Sequence, residues 1–280
     1  MQRSPRSSQP QTISALAGRV AKQFASLPQV EAVALAGSRM SEFPDENSDI
    51  DLYVYVTEDI PLDERAKIAA GSRRAEIGNA TWEPGDEWID AAAGIAVDVM
   101  YRHVLWIEEQ LDRVLIRHEA SVGYSTCFWY NVLNSQALFE RSGWFAELQK
   151  RAAQPYPVEL KRAIIAKNYR LLRSTLSSYL HQIDSAVKRD DPVSVSHRVA
   201  VLLASYFDVL FALNEMPHPG EKRLLQHAAK LPQLPRDLER SVRAVLAAVG
   251  KDDLVARVNE VVNGLEELME LNDNSQERHS

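Results

Sequence analysis

Asp49 and Asp51 stand two residues apart in the run SDIDLYVYV, where Ile50, Leu52, Val54 and Val56 alternate with Asp49, Asp51, Tyr53 and Tyr55. A period of two is that of a β-strand, so both carboxylates are expected on one side of it. Like charges held that close repel, and divalent cations remove the conflict. A third carboxylate, Asp98, lies in a second alternating run, IAVDVMYR (Ile95–Arg102), read as a neighbouring strand. Magnesium prefers oxygen ligands and keeps waters and substrate phosphates in its shell, so Asp49, Asp51 and Asp98 would suit as metal ligands. With two Mg2+ ions about 3.5–4 Å apart, one activates an attacking hydroxyl and the other steadies a leaving pyrophosphate.

A phosphate cradle is expected beside them. The apolar run VEAVALA ends in Gly37-Ser38-Arg39. Gly37 lets backbone approach a ligand without Cβ interference, Ser38 offers a hydroxyl and an amide in a turn, and Arg39 adds a charged donor. Arg39 can also be read as a solvated loop residue pairing with Glu42 or Asp45.

These residues need elements to position them. Thr12–Leu27 has Ile13, Leu16, Val20, Phe24 and Leu27 at helical spacing, with Thr12 as N-cap and Pro28 as terminator. VEAVALAG and Asp49–Val56 read as strands, Asp63–Ile77 as a helix, NATWEPGDEWIDAAAG as a loop or irregular hairpin, and Ile95–Arg102 as the third strand. From about Tyr156 strand-like runs vanish and a 3.6-residue period takes over, with Pro155 and Pro157 at the change. Val158–Asp190 reads as one helix or two broken near Ser177-Ser178. Asp191-Pro192 opens a nearly all-apolar helix to about Asn214, and Glu221–Lys230, Arg236–Val249 and Asp252–Leu271 read as three amphipathic pieces. The expected domains are residues 12–155 and a helical bundle over 156–272, between disordered tails at 1–11 and 273–280.

Bulk composition sets the class. The 280 residues are 45% hydrophobic and 25% charged, enough for two modest domains. The polar start MQRSPRSSQP lacks the apolar core of a secretory signal and no run of eighteen apolar residues occurs, which predicts a cytoplasmic protein without membrane partners. One cysteine, Cys127, excludes an internal disulfide framework and a cysteine-based zinc site. The net charge of −7 is uneven: residues 1–156 hold 22 acidic and 15 basic side chains, and residues 157–280 hold 17 of each. An acidic half without a basic stripe argues against nucleic acid as a partner and suits a site that collects cations.

The order of apolar strand, Gly37-Ser38, loop, SDIDLYV and a third aspartate in VDVMY resembles the nucleotidyltransferase superfamily of DNA polymerase β-like fold, especially small bacterial enzymes that adenylylate antibiotics or other hydroxyl compounds. The likeness covers about Val30 to Arg102; EIGNATWEPGDEW and HPGEKRLL are similar to a bacterial branch of that superfamily. The resemblance implies an α+β fold, a mixed sheet with flanking helices followed by an all-α bundle that binds the acceptor. It implies metal-dependent transfer of a nucleoside monophosphate, AMP from ATP or another nucleoside triphosphate, to a hydroxyl-bearing small molecule, with release of pyrophosphate. By position Gly37 and Ser38 would hold the triphosphate, Asp49 and Asp51 the metals, and Asp98 would be third ligand or base, a role that a carboxylate of the helical domain fills in some relatives. A protein or RNA acceptor, as in toxin–antitoxin relatives, and a nucleotide-binding module without catalysis are the rival expectations.

Other residues carry weaker signals. Lys161, Lys167 and Arg170 could turn one face toward the triphosphate, Lys167 foremost, although solvated lysines are the commoner outcome. Lys222 and Arg223 sit in the first turn of an expected helix, where a cation opposes the dipole. Glu83, Asp86 and Glu87 could line an acceptor pocket, and Trp82 and Trp88 could stack on a substrate or simply pack that loop down. His103, His118, His197 and His218 lack metal spacing, and Cys127 in GYSTCFWY reads as an inert buried thiol.

Overall fold

Six strands form one mixed sheet in the order β3-β4-β5-β2-β1-β6. They are β1 (Val30–Ala36), β2 (Ile50–Val56), β3 (Arg74–Asn79), β4 (Gly85–Ile89), β5 (Ala96–His103) and β6 (Gln136–Glu140). The computed structural model describes residues 9–36, 49–81 and 83–277, with side chains for 13–36, 49–81 and 83–272. The first two motif strands lie side by side and antiparallel, and β2 pairs in parallel with β5, so the two aspartate-bearing strands are direct neighbours.

Alternation decides what each face of the sheet meets. On one face Val33, Leu35, Leu52, Val54, Val97 and Val99 are buried under α1 (Gln9–Ala25), which contributes Leu16, Val20 and Phe24. Apolar residues at helical spacing on α1 and at strand spacing beneath it give one continuous core, the main source of stability for an amphipathic element. On the opposite face β1 presents Ala32, Ala34 and Ala36 beside Tyr55, Tyr53 and Asp51 of β2.

The chain divides into two compact units. One is residues 1–111 with 131–154; the other is residues 112–130 with 155–280. The division at Gln154/Pro155 falls where the prolines lie, but residues 112–130 belong with the helical unit, which the expected single boundary does not include. Two helices carry the chain across that division: α3 (Val104–Leu115) on the way out and α4 (Cys127–Leu133) on the way back, followed by α5 (Trp144–Ala152).

In the helical unit α6 (Val158–Tyr169) passes into a π-helical turn at Arg170–Ser174, and α7 (Tyr179–Lys188) begins at Ser178, whose hydroxyl accepts from the His181 amide. Of the two readings of Val158–Asp190, the broken one is observed. Asp191 caps α8 (Pro192–Leu213) by accepting from the Ser194 amide at 3.0 Å. By length and composition α8 could cross a membrane, but most of it is buried at the centre of the unit. α9 (Leu224–Ala228), α10 (Leu238–Ala248) and α11 (Leu254–Glu277) complete the unit.

Several expected boundaries are corrected. Thr12 is no N-cap, because α1 already begins at Gln9. The helix expected over Asp63–Ile77 is only α2 (Leu62–Ile68); Gly71 then takes a left-handed φ of +83°, and β3 pairs with β4 as the outer hairpin of the sheet. Lys222 and Arg223 precede α9 rather than forming its first turn. α11 continues as helix to Glu277, into the stretch expected to be a disordered tail.

Candidate active site

Strand register builds the site. Asp51 of β2 lies opposite Asp98 of β5, Asp98 lies opposite Glu87 of β4, and Glu87 lies opposite Glu76 of β3. Residues directly opposite share a face of the sheet, so four acidic side chains form a row across four neighbouring strands about 4.8 Å apart. Asp49, exposed just before β2, precedes Asp51 by two residues. A cavity of about 320 Å³ is lined by Asp49, Asp98, Glu87, Glu76 and Arg74. Arg74 neutralises the far end of the row, since its guanidinium lies 2.5 Å from the Glu76 carboxylate.

The three predicted carboxylates are thus brought to one face of adjacent strands. They do not converge on one point: among the described residues no three His, Cys, Asp or Glu side chains lie together as a metal cage. Gly37, Ser38 and Arg39, together with Glu42, Asp45 and Trp82, lie outside the described residues.

Of the three acids expected to line an acceptor pocket, Glu87 stands in this row, Glu83 is drawn to the same face by Arg102, and Asp86 is not on it. Asp86 points to the opposite face and is wholly buried, where it accepts from the Gly78 amide, both Nε and Nη2 of Arg65 and the Tyr101 hydroxyl. Glu83 forms a two-pronged pair with Arg102 at 2.9 and 3.0 Å. The Arg102 guanidinium also stacks 3.7 Å from the ring centre of Tyr53, next to Asp51 on the same face. Burial raises the Tyr53 phenol above its usual range, and Arg102 opposes that shift. Trp88 is buried against the core, so it packs the hairpin rather than facing a ligand.

The basic residues of α6 are used within the helical unit. Lys161 is buried and bonded to Glu215 at 2.9 Å, and Lys167 donates to the carbonyl of Ala120 at 2.6 Å. Cys127 places its sulfur 3.5 Å from Nδ1 of His218, and burial pushes the thiol up to about 12, as expected of an inert thiol. Burial holds His218 neutral, lowered to about 3. A shallow recess along α10 and α11 contains Arg240, Lys251 and Arg257, of which Arg257 pairs with Asp253 and Glu260.

Sequence reasoning missed two features. Glu76 and Glu87 were not connected to the aspartates, because only the pairing of β3, β4 and β5 reveals their shared row. Asp208 on α8 is 1% exposed, and its signal was a lone acid inside VAVLLASYFDVLFAL.

No protein-family model matches the sequence, and no curated protein matches it. Among solved structures, the chain is similar to a nucleotidyltransferase-like protein from Exiguobacterium sibiricum, with 13% identity over 94% of this chain and 74% of that one and a TM-score of 0.42. Identity and superposition at that level assign no activity.

Proposed function

We propose that the protein is a nucleotidyltransferase that moves a nucleoside monophosphate, AMP from ATP, onto a hydroxyl of a small molecule and releases pyrophosphate. The observation that carries this reading is the register of Asp51 opposite Asp98 on adjacent parallel strands, with Asp49 two residues earlier. Like charges directly opposite one another destabilise a sheet, and oxygen-only ligands in that arrangement fit magnesium. Magnesium needs only one or two protein carboxylates beside waters and phosphates, so the spread of the three groups fits it. Bound there, the metal would supply charge neutralisation for the triphosphate.

In the reaction the acceptor oxygen bonds to the α-phosphorus, the bond to the bridging oxygen of pyrophosphate breaks, and the acceptor proton passes to a carboxylate. Asp98 is the candidate on the sheet; a carboxylate of the helical unit is the alternative. Gly37, Ser38 and Arg39 would bind the triphosphate. Catalysis of this kind rests on positioning and charge rather than covalent chemistry.

The test is pyrophosphate release from ATP and Mg2+ across a panel of hydroxyl-bearing antibiotics and metabolites. An acceptor-dependent signal lost in Asp51→Asn supports the assignment; a signal unchanged in that variant removes it. The spread of the carboxylates also favours a second reading, a nucleotide-binding module without transfer. That reading predicts a magnesium-dependent thermal shift with ATP and no pyrophosphate with any acceptor.

A further inference from the structure

Residues 116–126 join α3 to α4 without regular secondary structure and lie against the helical unit. Their packing is inside out. The apolar side chains of Ile116, Val122 and Tyr124 are exposed, whereas Thr126 is buried and Ser125 partly so. The backbone is forced as well: His118 and Tyr124 adopt left-handed φ of 54° and 56°, a conformation costly for residues other than glycine. Gly123, at φ 71°, passes so close to α8 that an added Cβ would lie 3.0 Å from that of Ala204.

A set of polar contacts holds the segment in this shape, beside the edge-on contact of the Tyr124 ring with His218. Asp208 of α8 accepts from the Ser125 amide at 3.0 Å and the Ser125 hydroxyl at 2.6 Å. Asn168 of α6 donates to Asp208 at 3.1 Å and to the Ser121 carbonyl at 2.9 Å, and accepts from the Gly123 amide at 2.9 Å. Lys167 ties down the Ala120 carbonyl, and the Thr126 hydroxyl accepts from the His218 amide. Among the described residues the hydrogen-bond partners of Asp208 are all uncharged.

We propose that residues 116–126 are a sprung strap, latched onto the helical unit by Asp208 and Asn168, that opens as a local step distinct from unfolding once the Asp208 carboxylate carries its charge. A buried anion without a counter-ion gains hydration when the strap lifts, and the same movement relaxes His118 and Tyr124. Burial raises the Asp208 carboxyl to about 6, against the hydrogen bonds from Ser125. Closure is therefore strongest when Asp208 is protonated and weakens as pH rises from about 4 to about 6, then levels off. With the strap closed the groups around it keep one state through this window: Cys127, pushed up to about 12, Tyr124 and Tyr156, both raised, and His218, lowered to about 3, are all neutral. Glu119 on the strap is lowered by Arg117 and Arg113, so it stays charged.

Hydrogen exchange of the full chain between pH 5 and 8, with each amide referred to its intrinsic rate at that pH, tests this. Protection of residues 121–126 should fall about tenfold from pH 5 to 7.5 while the centre of α8 is unaffected. Asp208→Asn, which keeps the shape and removes the charge, should abolish the dependence. Ser125→Ala, which removes one donor and leaves the fold's apolar core untouched, should lower protection of the same amides at every pH. The proposal is overturned if strap and α8 exchange with one common free energy, if the wild-type profile is flat, or if Asp208→Asn keeps the pH dependence.

Discussion

The sheet unit and the helical unit treat a carboxylate in opposite ways. On the open face of the sheet Asp51, Asp98, Glu87 and Glu76 stand side by side, and the outermost, Glu76, pairs with Arg74 of its own strand. In the helical unit Asp208 sits alone, buried, with donors supplied by Ser125 and Asn168. Strand register therefore concentrates negative charge at a surface where an external cation can balance it. The helices instead satisfy one acid with internal dipoles, which makes it a structural group. The comparison separates carboxylates gathered on an open face from one enclosed by the fold.

The largest effect tests that separation within the sheet itself. Asp86 lies on the same strand as Glu87 but faces the core, so Asp86→Ala should destabilise the protein by about 3–5 kcal/mol, because Arg65 loses its buried partner. Urea unfolding measures it; a loss under about 1 kcal/mol would mean the two faces are not distinguished as described. Next comes Asp51→Asn, for which we expect at least a hundredfold loss of pyrophosphate release with an unchanged unfolding midpoint. Equal loss of stability and activity would move Asp51 into the structural class with Asp208.

A third prediction uses two buried groups of opposite sign. Asp208 has a raised folded value, so its contribution to stability is present at low pH and lost as pH rises to about 6. His218 has a depressed one, so its contribution is present above its unfolded value and lost as pH falls toward about 3. Across the shared range they oppose each other, and wild-type stability should change little between pH 4.5 and 6.5. Removing the Asp208 term in Asp208→Asn should expose an acid loss from His218 of about 2 kcal/mol, read from denaturation at each pH; a flat profile in the variant contradicts the assignment. The smallest effect is at Glu87. Glu87→Gln removes one like charge opposite Asp98 and should stabilise by up to about 0.5 kcal/mol at low salt, an increment that disappears at 1 M salt.

How much of this was legible depended on whether a signal was local. The alternation in Ile50–Val56 and around Asp98 identified both aspartate strands, and the prolines at 155 and 157 marked the change of texture. The hairpin of β3 and β4 was not read as such, because RAEIGN is short and charged and owes its extended form to pairing with β4. For the same reason Asp86 and Glu87 looked alike as loop acids. Register, a tertiary property, sends one into the core and the other to the open face. Asp208 was visible as an acid in an apolar helix, but its partners lie 83 and 40 positions away and no spacing rule finds them.

Parallel neighbours cannot be joined by a tight turn and require a crossover. Here the crossover is residues 57–95, and it carries α2 together with the whole β3–β4 hairpin out to the margin of the sheet. The pairing of Asp51 with Asp98 is made by β2 and β5 themselves. The hairpin is thus inserted into that crossover, yet it is tied into the sheet, since β4 pairs with β5 and Asp86 and Trp88 are buried. An excursion of that length between two neighbouring strands adds Glu87 and Glu76 to a row that the parallel pair alone would end at Asp98.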